Sequence, residues 1–456
     1  MTTATTLEAP RMRSGLSGRL DHFGLFLAGF ILLYGASSLV LEYVVGVIGF
    51  AKTPYLNAGV YLYALAFAGL TFAFNRTTVR AAAPHPVGIN VLALLLASAI
   101  TGVANGNAQQ YIVAWSLYIV TAVLMFQIFR YRREDEGGAD VVSTLYSLPF
   151  LALALVFTGL SVFAKDNHYQ YVLFEVIALY GMLIRRSVID KAMGALLYLL
   201  IHLGSNDGFV QVEINRASIL AVGTVGLLFL LYRKYLVTTF FLIFVALGII
   251  GFALSLDDAT VETLPRNIKE AILLMKGDDL YHHISSYQRV FEGQKVMEDY
   301  QAATDAEWLI GKGLGRTVDM SGAADKTPGQ HALLGVLEVH NIHFLHFAVF
   351  HKFGLLGLGM LAVLVGGLIW MFVVDLVTRR LDDTRMFFYV YLFYNLVFAM
   401  PASNFLIANP VWPAFLGMLC WMRRADRRLM PSGPYFTHNQ PLEATATAIA
   451  NTGETR

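Results

Sequence analysis

The sequence predicts an all-α, polytopic membrane protein with about twelve transmembrane helices and one large extracytoplasmic loop between helices nine and ten. Three observations lead there. The chain has 456 residues, is 56% hydrophobic and only 14% charged, and has a mean hydropathy of +0.57, whereas soluble domains carry about 25% charged residues. Apolar runs of roughly the 17–25 residues needed to cross a bilayer recur along most of its length. The basic residues fall in every second connection between those runs, the pattern of a multi-pass protein whose positive loops stay inside.

In chain order, a tail at 1–22 carries Arg11, Arg13 and Arg19. Nine spans fall within 23–255, at about 23–41, 57–75, 87–104, 111–129, 142–163, 170–184, 190–204, 217–232 and 235–255. Three more fall within 340–422, at about 354–377, 386–401 and 405–422. Arg76 and Arg80 follow the second span, Arg130, Arg132 and Arg133 the fourth, and Arg185, Arg186 and Lys191 the sixth. Arg233 and Lys234 follow the eighth, Arg379, Arg380 and Arg385 the tenth, and Arg423, Arg424, Arg427 and Arg428 the last. The short alternate connections, Ala104 to Gln110 and Pro401 to Asn404, have no Lys or Arg. Both termini are therefore expected in the cytoplasm and 256–339 outside. Residues 1–40 also have the outline of a signal peptide with Gly35-Ala36-Ser37 as its cleavage site, but the apolar run continues past that point. The tail at 423–456, rich in Thr, Ala and Asn from about Pro431, is expected to be disordered. A single cysteine, Cys420, rules out an internal disulfide.

The outside segment is far longer than an ordinary connection, which marks it as functional or unstructured. Its pattern favours order. Asn267–Met275 reads as a short amphipathic helix, and 286–302 as a longer one with Tyr287, Val290, Phe291, Met297 and Tyr300 at helical spacing. Thr304-Asp305-Ala306-Glu307 is a capping box. Gly311-Lys312-Gly313-Leu314-Gly315-Arg316 is glycine-rich, but no strand precedes it, so a tight backbone turn is the better reading than a nucleotide fingerprint.

Where the loop returns to the membrane, the chain runs Glu338-Val339-His340-Asn341-Ile342-His343-Phe344-Leu345-His346-Phe347, then Gly354-Leu355-Leu356-Gly357. An imidazole there exchanges a proton near neutral pH, and ionisable groups at membrane depth are functional candidates by default. His340, His343, His346 and His351 also invite a metal reading. Helical steps of three carry the later ones off the first face, and a zinc site needs three or four converging ligands, so no metal is expected. Glu175 is an intramembrane carboxylate that either pairs with Arg216, lines a cavity, or sits near the interface.

Taken in order, Asn215-Arg216-Ala217-Ser218 opening a span, a large outside loop with helix-borne Arg289, the Ile310–Gly315 turn, His340-Asn341 and Gly354-Leu355-Leu356-Gly357 resemble the O-antigen ligase and polymerase family of bacterial envelope enzymes. The likeness covers about residues 190–377. Asn215 stands where the family usually has Ser, and Phe291 is nearest to where it often has Trp after the loop arginine. The resemblance implies a metal-independent, inverting glycosyltransferase of the cytoplasmic (inner) membrane, working at its outer face without a cofactor. The implied donor is a glycan on undecaprenyl pyrophosphate, and the acceptor a sugar hydroxyl on a glycan or lipid. The bilayer is the remaining partner, and nucleic acid is not one.

That chemistry needs a proton acceptor and a holder of growing negative charge. His340 suits the first role, with a hydrogen-bonded interfacial histidine as its plain alternative. Arg216 and Arg289 suit the second, because guanidinium forks hold phosphate oxygens bidentately. Their alternatives are snorkelling to lipid phosphate and a solvated helix face. Lys312 and Arg316 are further phosphate candidates; Asn341 caps the following helix or orients the imidazole; Tyr281, His282 and His283 contact sugar or the membrane surface. Two other classes remain: a transporter or flippase of polyprenyl-linked glycans, and a non-catalytic envelope scaffold.

Overall fold

In a computed structural model, the described residues are 22–47, 53–74, 85–131, 139–161, 168–185, 187–206, 209–212, 216–264, 269, 272–273, 276, 284–322 and 338–429. Residues 1–21 and 430–456, most of the 267–275 stretch, and Tyr281, His282 and His283 lie outside the described residues, whereas 423–429, expected to open a disordered tail, continue the last helix. The elements are α1 (His22–Leu39, running into a π turn at Val40–Val44), α2 (Thr53–Phe74), α3 (Pro86–Ala104), α4 (Gln109–Arg130), α5 (Ala139–Leu145), α6 (Leu148–Ser161), α7 (His168–Leu183) and α8 (Val188–Ile201). A hairpin, β1 (Leu203–Asn206) and β2 (Phe209–Val212), leads to α9 (Arg216–Tyr232), α10 (Leu236–Ser255) and α11 (Asp258–Glu262). Then come α12 (Ile284–Tyr300), α13 (Asp305–Ile310), α14 (Leu345–Val377), α15 (Asp383–Ala399), α16 (Asn404–Ile407) and α17 (Val411–Leu429).

Five of these, α2, α3, α4, α10 and α14, are long and apolar enough to cross a membrane. The surface of α10 says why lipid must be the solvent. Val237, Phe240 and Phe244 are 85%, 71% and 75% exposed, and a helix apolar all round is stable only in a core or a bilayer. The chain is a multi-pass, helical membrane protein. Its main core is aromatic: α15 is buried along nearly its whole length, and Phe23 of α1 meets Phe129 and Phe415 edge-on at 5.0 and 5.2 Å.

Three departures from the sequence pattern have local causes. The single run at 142–163 is two helices. Ser147 breaks it by donating from both its backbone N–H and its hydroxyl to the Thr144 carbonyl, and Pro149, without an N–H, sits in the first turn of α6 where that loss is harmless. The hairpin interrupts the otherwise all-helical chain; Asp207-Gly208 lies between the paired Asn206 and Phe209, a sequence that favours two-residue turns. The apolar run at 354–377 belongs to a helix that starts nine residues earlier in the chain, at Leu345, because Gly354 (φ 60°, ψ −154°) joins two helical stretches across a kink.

A second hydrophobic cluster fixes the part of the molecule that matters for function. Val296 and Tyr300 of α12, Leu314, Val318 and Met320 after the glycine turn, and Val339 and Ile342 pack with Leu95, Ile112 and Trp115 of α3 and α4 and with Phe350 and Phe353 of α14. The described stretches 284–322 and 338–344 between α10 and α14 are thereby seated on the helix bundle.

Candidate functional site

The seat is made by glycine. Gly311, Gly313 and Gly315 all have positive φ, at 88°, 86° and 77°. A Cβ at Gly313 would lie 2.3 Å from the Gly102 nitrogen, and one at Gly102 would lie 2.3 Å from the Leu314 carbonyl oxygen. The backbones of the turn and of α3 therefore touch directly. Leu314 N–H donates to the Ser98 carbonyl at 3.0 Å, Lys312 N–H to the His351 carbonyl at 3.0 Å, and Asn107 Nδ2 to the Lys312 and Leu314 carbonyls at 3.0 and 2.9 Å. The turn is a clamp between the α3–α4 corner and α14.

Beyond the clamp the chain delivers the return segment, 338–344. Val318 and Val339 exchange antiparallel backbone hydrogen bonds of 2.9 and 3.0 Å. The next residue is His340. Its ring stacks flat on Tyr111, with centroids 3.7 Å apart and planes 9° from parallel. Lys352, wholly buried, donates from Nζ to the His340 carbonyl at 2.9 Å and lies 4.4 Å from the centre of the Trp115 ring. Burial and the nearby lysine push the imidazole down from 6.5 to about 4. His340 is thus neutral at pH 7 but a weak base.

Three residues on, His343 has a different environment. Its ring Nδ1 lies 2.8 Å from Glu292 Oε1, and its backbone N–H donates to Glu292 Oε2 at 2.8 Å. Glu292 is fully buried on α12 and also accepts from Gln288 Nε2 at 2.7 Å. The His343 carbonyl accepts from Ser403 N–H at 2.7 Å, which anchors the segment to the α15–α16 corner. α12 comes close enough because Gly293 faces the Phe347 ring, where a Cβ would fall 2.6 Å from Cε2.

Arg289 sits one turn before Glu292 on the same helix. It is half-buried, and among the described residues no hydrogen bond or ion pair engages its guanidinium. Burial lowers its pKa, opposed by the charge of Glu292. Lys312 and Arg316 are different: Lys312 Nζ pairs with Glu307 at 3.3 Å, and Arg316 grips both oxygens of Asp299. Burial raises the Asp299 carboxyl, but hydrogen bonds from His351 and Arg316 outweigh it and hold that carboxyl below the usual range. A phosphate would have to displace these carboxylates. Both cations are better explained as ties within the loop.

Asn341 does not cap α14. That helix begins at Leu345, with Phe344 at its N-cap and no side-chain cap, and the Leu345 N–H is satisfied by the Met400 carbonyl at 3.0 Å. Arg216 is the first residue of α9, and its side chain lies outside the described residues. Glu175 is fully buried between helices, with His202 Nε2 at 3.2 Å from Oε1 and the Ser218 hydroxyl donating to Oε2 at 3.5 Å. It is a partner of His202 and Ser218, at the end of the bundle where α9 starts. The four histidines of the return region have separate surroundings: His340 on Tyr111, His343 on Glu292, His351 on Asp299, and His346 exposed beside Phe344 and Phe347. Among the described residues no group of three or more metal-ligand side chains forms.

The structure thus places His340 and His343 on the return segment, Arg289 on the helix that binds it, and Lys312 and Arg316 tied into the clamp, and it adds Glu292, Lys352 and Tyr111, which the sequence motifs do not single out. One signal for Glu292 is in the sequence. Gln288, Glu292, Val296 and Tyr300 recur at steps of four and are all buried, whereas Met297 is 42% exposed. An acid in register with a buried stripe is an acid with a partner. The chain matches no family model, no curated protein and no solved structure.

Proposed function

We propose that this chain is an integral-membrane glycosyltransferase. In this reading it belongs with the O-antigen ligases and polymerases, moving a glycan from undecaprenyl pyrophosphate to a sugar hydroxyl at the outer face of the cytoplasmic membrane, with inversion and without a metal. Twelve spans, cytoplasmic termini and an exterior 256–339 segment are part of the proposal, supported by the alternation of basic connections.

The observation that carries it is the junction of α12 with the return segment. Glu292 grips His343, and so a helix-borne Arg289 is held one turn from an imidazole-bearing stretch where the chain re-enters the bundle. Glycosyl transfer from a diphosphate asks for these two things. An imidazole of the His340–His343 stretch takes the acceptor proton, and Arg289 with Arg216 holds the leaving diphosphate. A guanidinium keeps its charge even when half-buried, which an ammonium does less well.

The test is the lipid-linked glycan profile of a strain lacking the chain, complemented by wild type, Arg289→Ala or Arg289→Lys. Loss of polymer with single repeats still attached would define a polymerase; full-length chains stranded on the carrier lipid would define a ligase. Arg289→Ala is expected to reproduce the deletion profile and Arg289→Lys to restore it only in part. A profile unchanged by the deletion would end the proposal.

A further inference from the structure

A carboxylate accepts hydrogen bonds and donates none. With Glu292 as the acceptor, the 2.8 Å contact between its Oε1 and His343 Nδ1 assigns that ring nitrogen as the donor. The other ring nitrogen, Nε2, has no hydrogen-bond partner among the described residues. The His343 side chain keeps 25% of its surface open while Glu292 has none, so the fixed edge of the ring is the buried one. The His343 backbone N–H also donates to Glu292 Oε2 and its carbonyl accepts from Ser403 N–H, so the backbone that carries the ring is held on both sides. A buried acid that fixes one nitrogen of an imidazole and leaves the other unpartnered is the arrangement that orients a histidine as a base.

His340 has none of this. Its ring lies flat against Tyr111, and the charge nearest to it is the ammonium of Lys352, which opposes an imidazolium.

We infer that His343, held by the buried Glu292, is the group that takes the acceptor's proton in the reaction proposed above, and that Glu292 is its positioning residue. This rests on the transferase reading. In the step, the acceptor O–H proton passes to His343 Nε2 as the acceptor oxygen bonds to the anomeric carbon. The bond from that carbon to the diphosphate oxygen breaks, its electron pair leaves with polyprenyl pyrophosphate, and the imidazolium later returns its proton to water. His340 then keeps the return segment in place through its stack on Tyr111 and its carbonyl bond from Lys352.

The experiment uses the full chain in liposomes with a polyprenyl-pyrophosphate-linked glycan and an acceptor glycan, and measures kcat and KM separately. His343→Gln is expected to lower kcat about 100-fold or more, the usual range for a lost general base. His340→Phe, which retains an aromatic ring for the stack, is expected to lose at least about tenfold less. Glu292→Gln is expected to lower kcat at least about tenfold with KM within about twofold, and Glu292→Asp to recover part of the loss. Unfolding temperatures of the four variants show that each is folded. Wild-type kcat in Glu292→Gln, or a larger loss in His340→Phe than in His343→Gln, overturns the inference and leaves the transferase reading standing. A wild-type chain that joins no glycan overturns both. If His343→Gln fails to fold, the kcat and KM of Glu292→Gln decide.

Discussion

His340 is neutral at pH 7, and its neutrality has a measurable consequence for stability. Unfolded, the imidazole takes a proton near 6.5; folded, only near 4. Between those values the unfolded chain binds more protons, so the stabilisation is complete above pH 6.5 and is lost as pH falls toward 4. The full loss is about 3 kcal/mol, less whatever solvent screening removes. The depressed carboxyls of Asp299 and Glu307 act only below their ordinary values of 3.8 and 4.5. A comparison of pH 7 with about pH 5.5, a unit or more above those values, therefore isolates histidine. The unfolding temperature of the solubilised chain is expected to fall over that window, and to fall less in His340→Phe; an equal fall in both would show that this ring is not the one titrating. At this scale the sequence was a partial guide. Arg289 and His340 stand out in short patterns, but Glu292 is marked only by its register with a buried stripe, and its partner His343, 51 positions away, is not marked by that periodicity. Asn341 misleads because its place after His340 looks like a cap, while the helix starts only at Leu345.

Among the elements, the glycine clamp carries the most weight, because α3 and α14 both meet the turn through backbone and the return segment pairs with Val318 just beyond it. Two glycines at similar φ separate its two physical demands. Gly106, at 68°, has open space where a Cβ would go; Gly313, at 86°, has the Gly102 backbone there. Ala at Gly106 costs about 1–2 kcal/mol of left-handed strain. Ala at Gly313 adds the displacement of the loop from α3, for a total above about 3 kcal/mol. The expected outcome is a clearly larger drop in unfolding temperature, and faster protease cutting between α12 and α14, for Gly313→Ala than for Gly106→Ala. Equal drops would mean that the close seat contributes nothing. The turn itself is legible from its glycines, and most helices from their apolar runs: 87–104 appears as Pro86–Ala104 and 217–232 as Arg216–Tyr232. The Ser147 break and the Gly354 kink are not, since both lie inside apolar stretches and depend on which backbone groups find partners in three dimensions.

For the whole molecule, hydrophobicity decides the environment, and the alternation of basic connections supports the proposed orientation. The exposed apolar surface of α10 demands lipid, and Arg233-Lys234 and Arg379-Arg380 terminate α9 and α14 in tight turns at which Lys234 and Arg379 take positive φ. If those turns face the cytoplasm, the clamp, the return segment and the Glu292–His343 pair face outward. In the proposed transferase reaction no nucleotide pool is drawn on, because the diphosphate ester of the donor would supply the driving force. A transporter of the same glycan would instead move its substrate across the bilayer unchanged. Reconstitution separates them most directly: liposomes holding the purified chain and a polyprenyl-pyrophosphate-linked glycan receive acceptor with no ion gradient and no nucleotide. Glycan covalently joined to acceptor, with one polyprenyl pyrophosphate released per bond formed, is the expected result. Glycan that crosses the membrane while still attached to its lipid, with no joined product, would contradict the account.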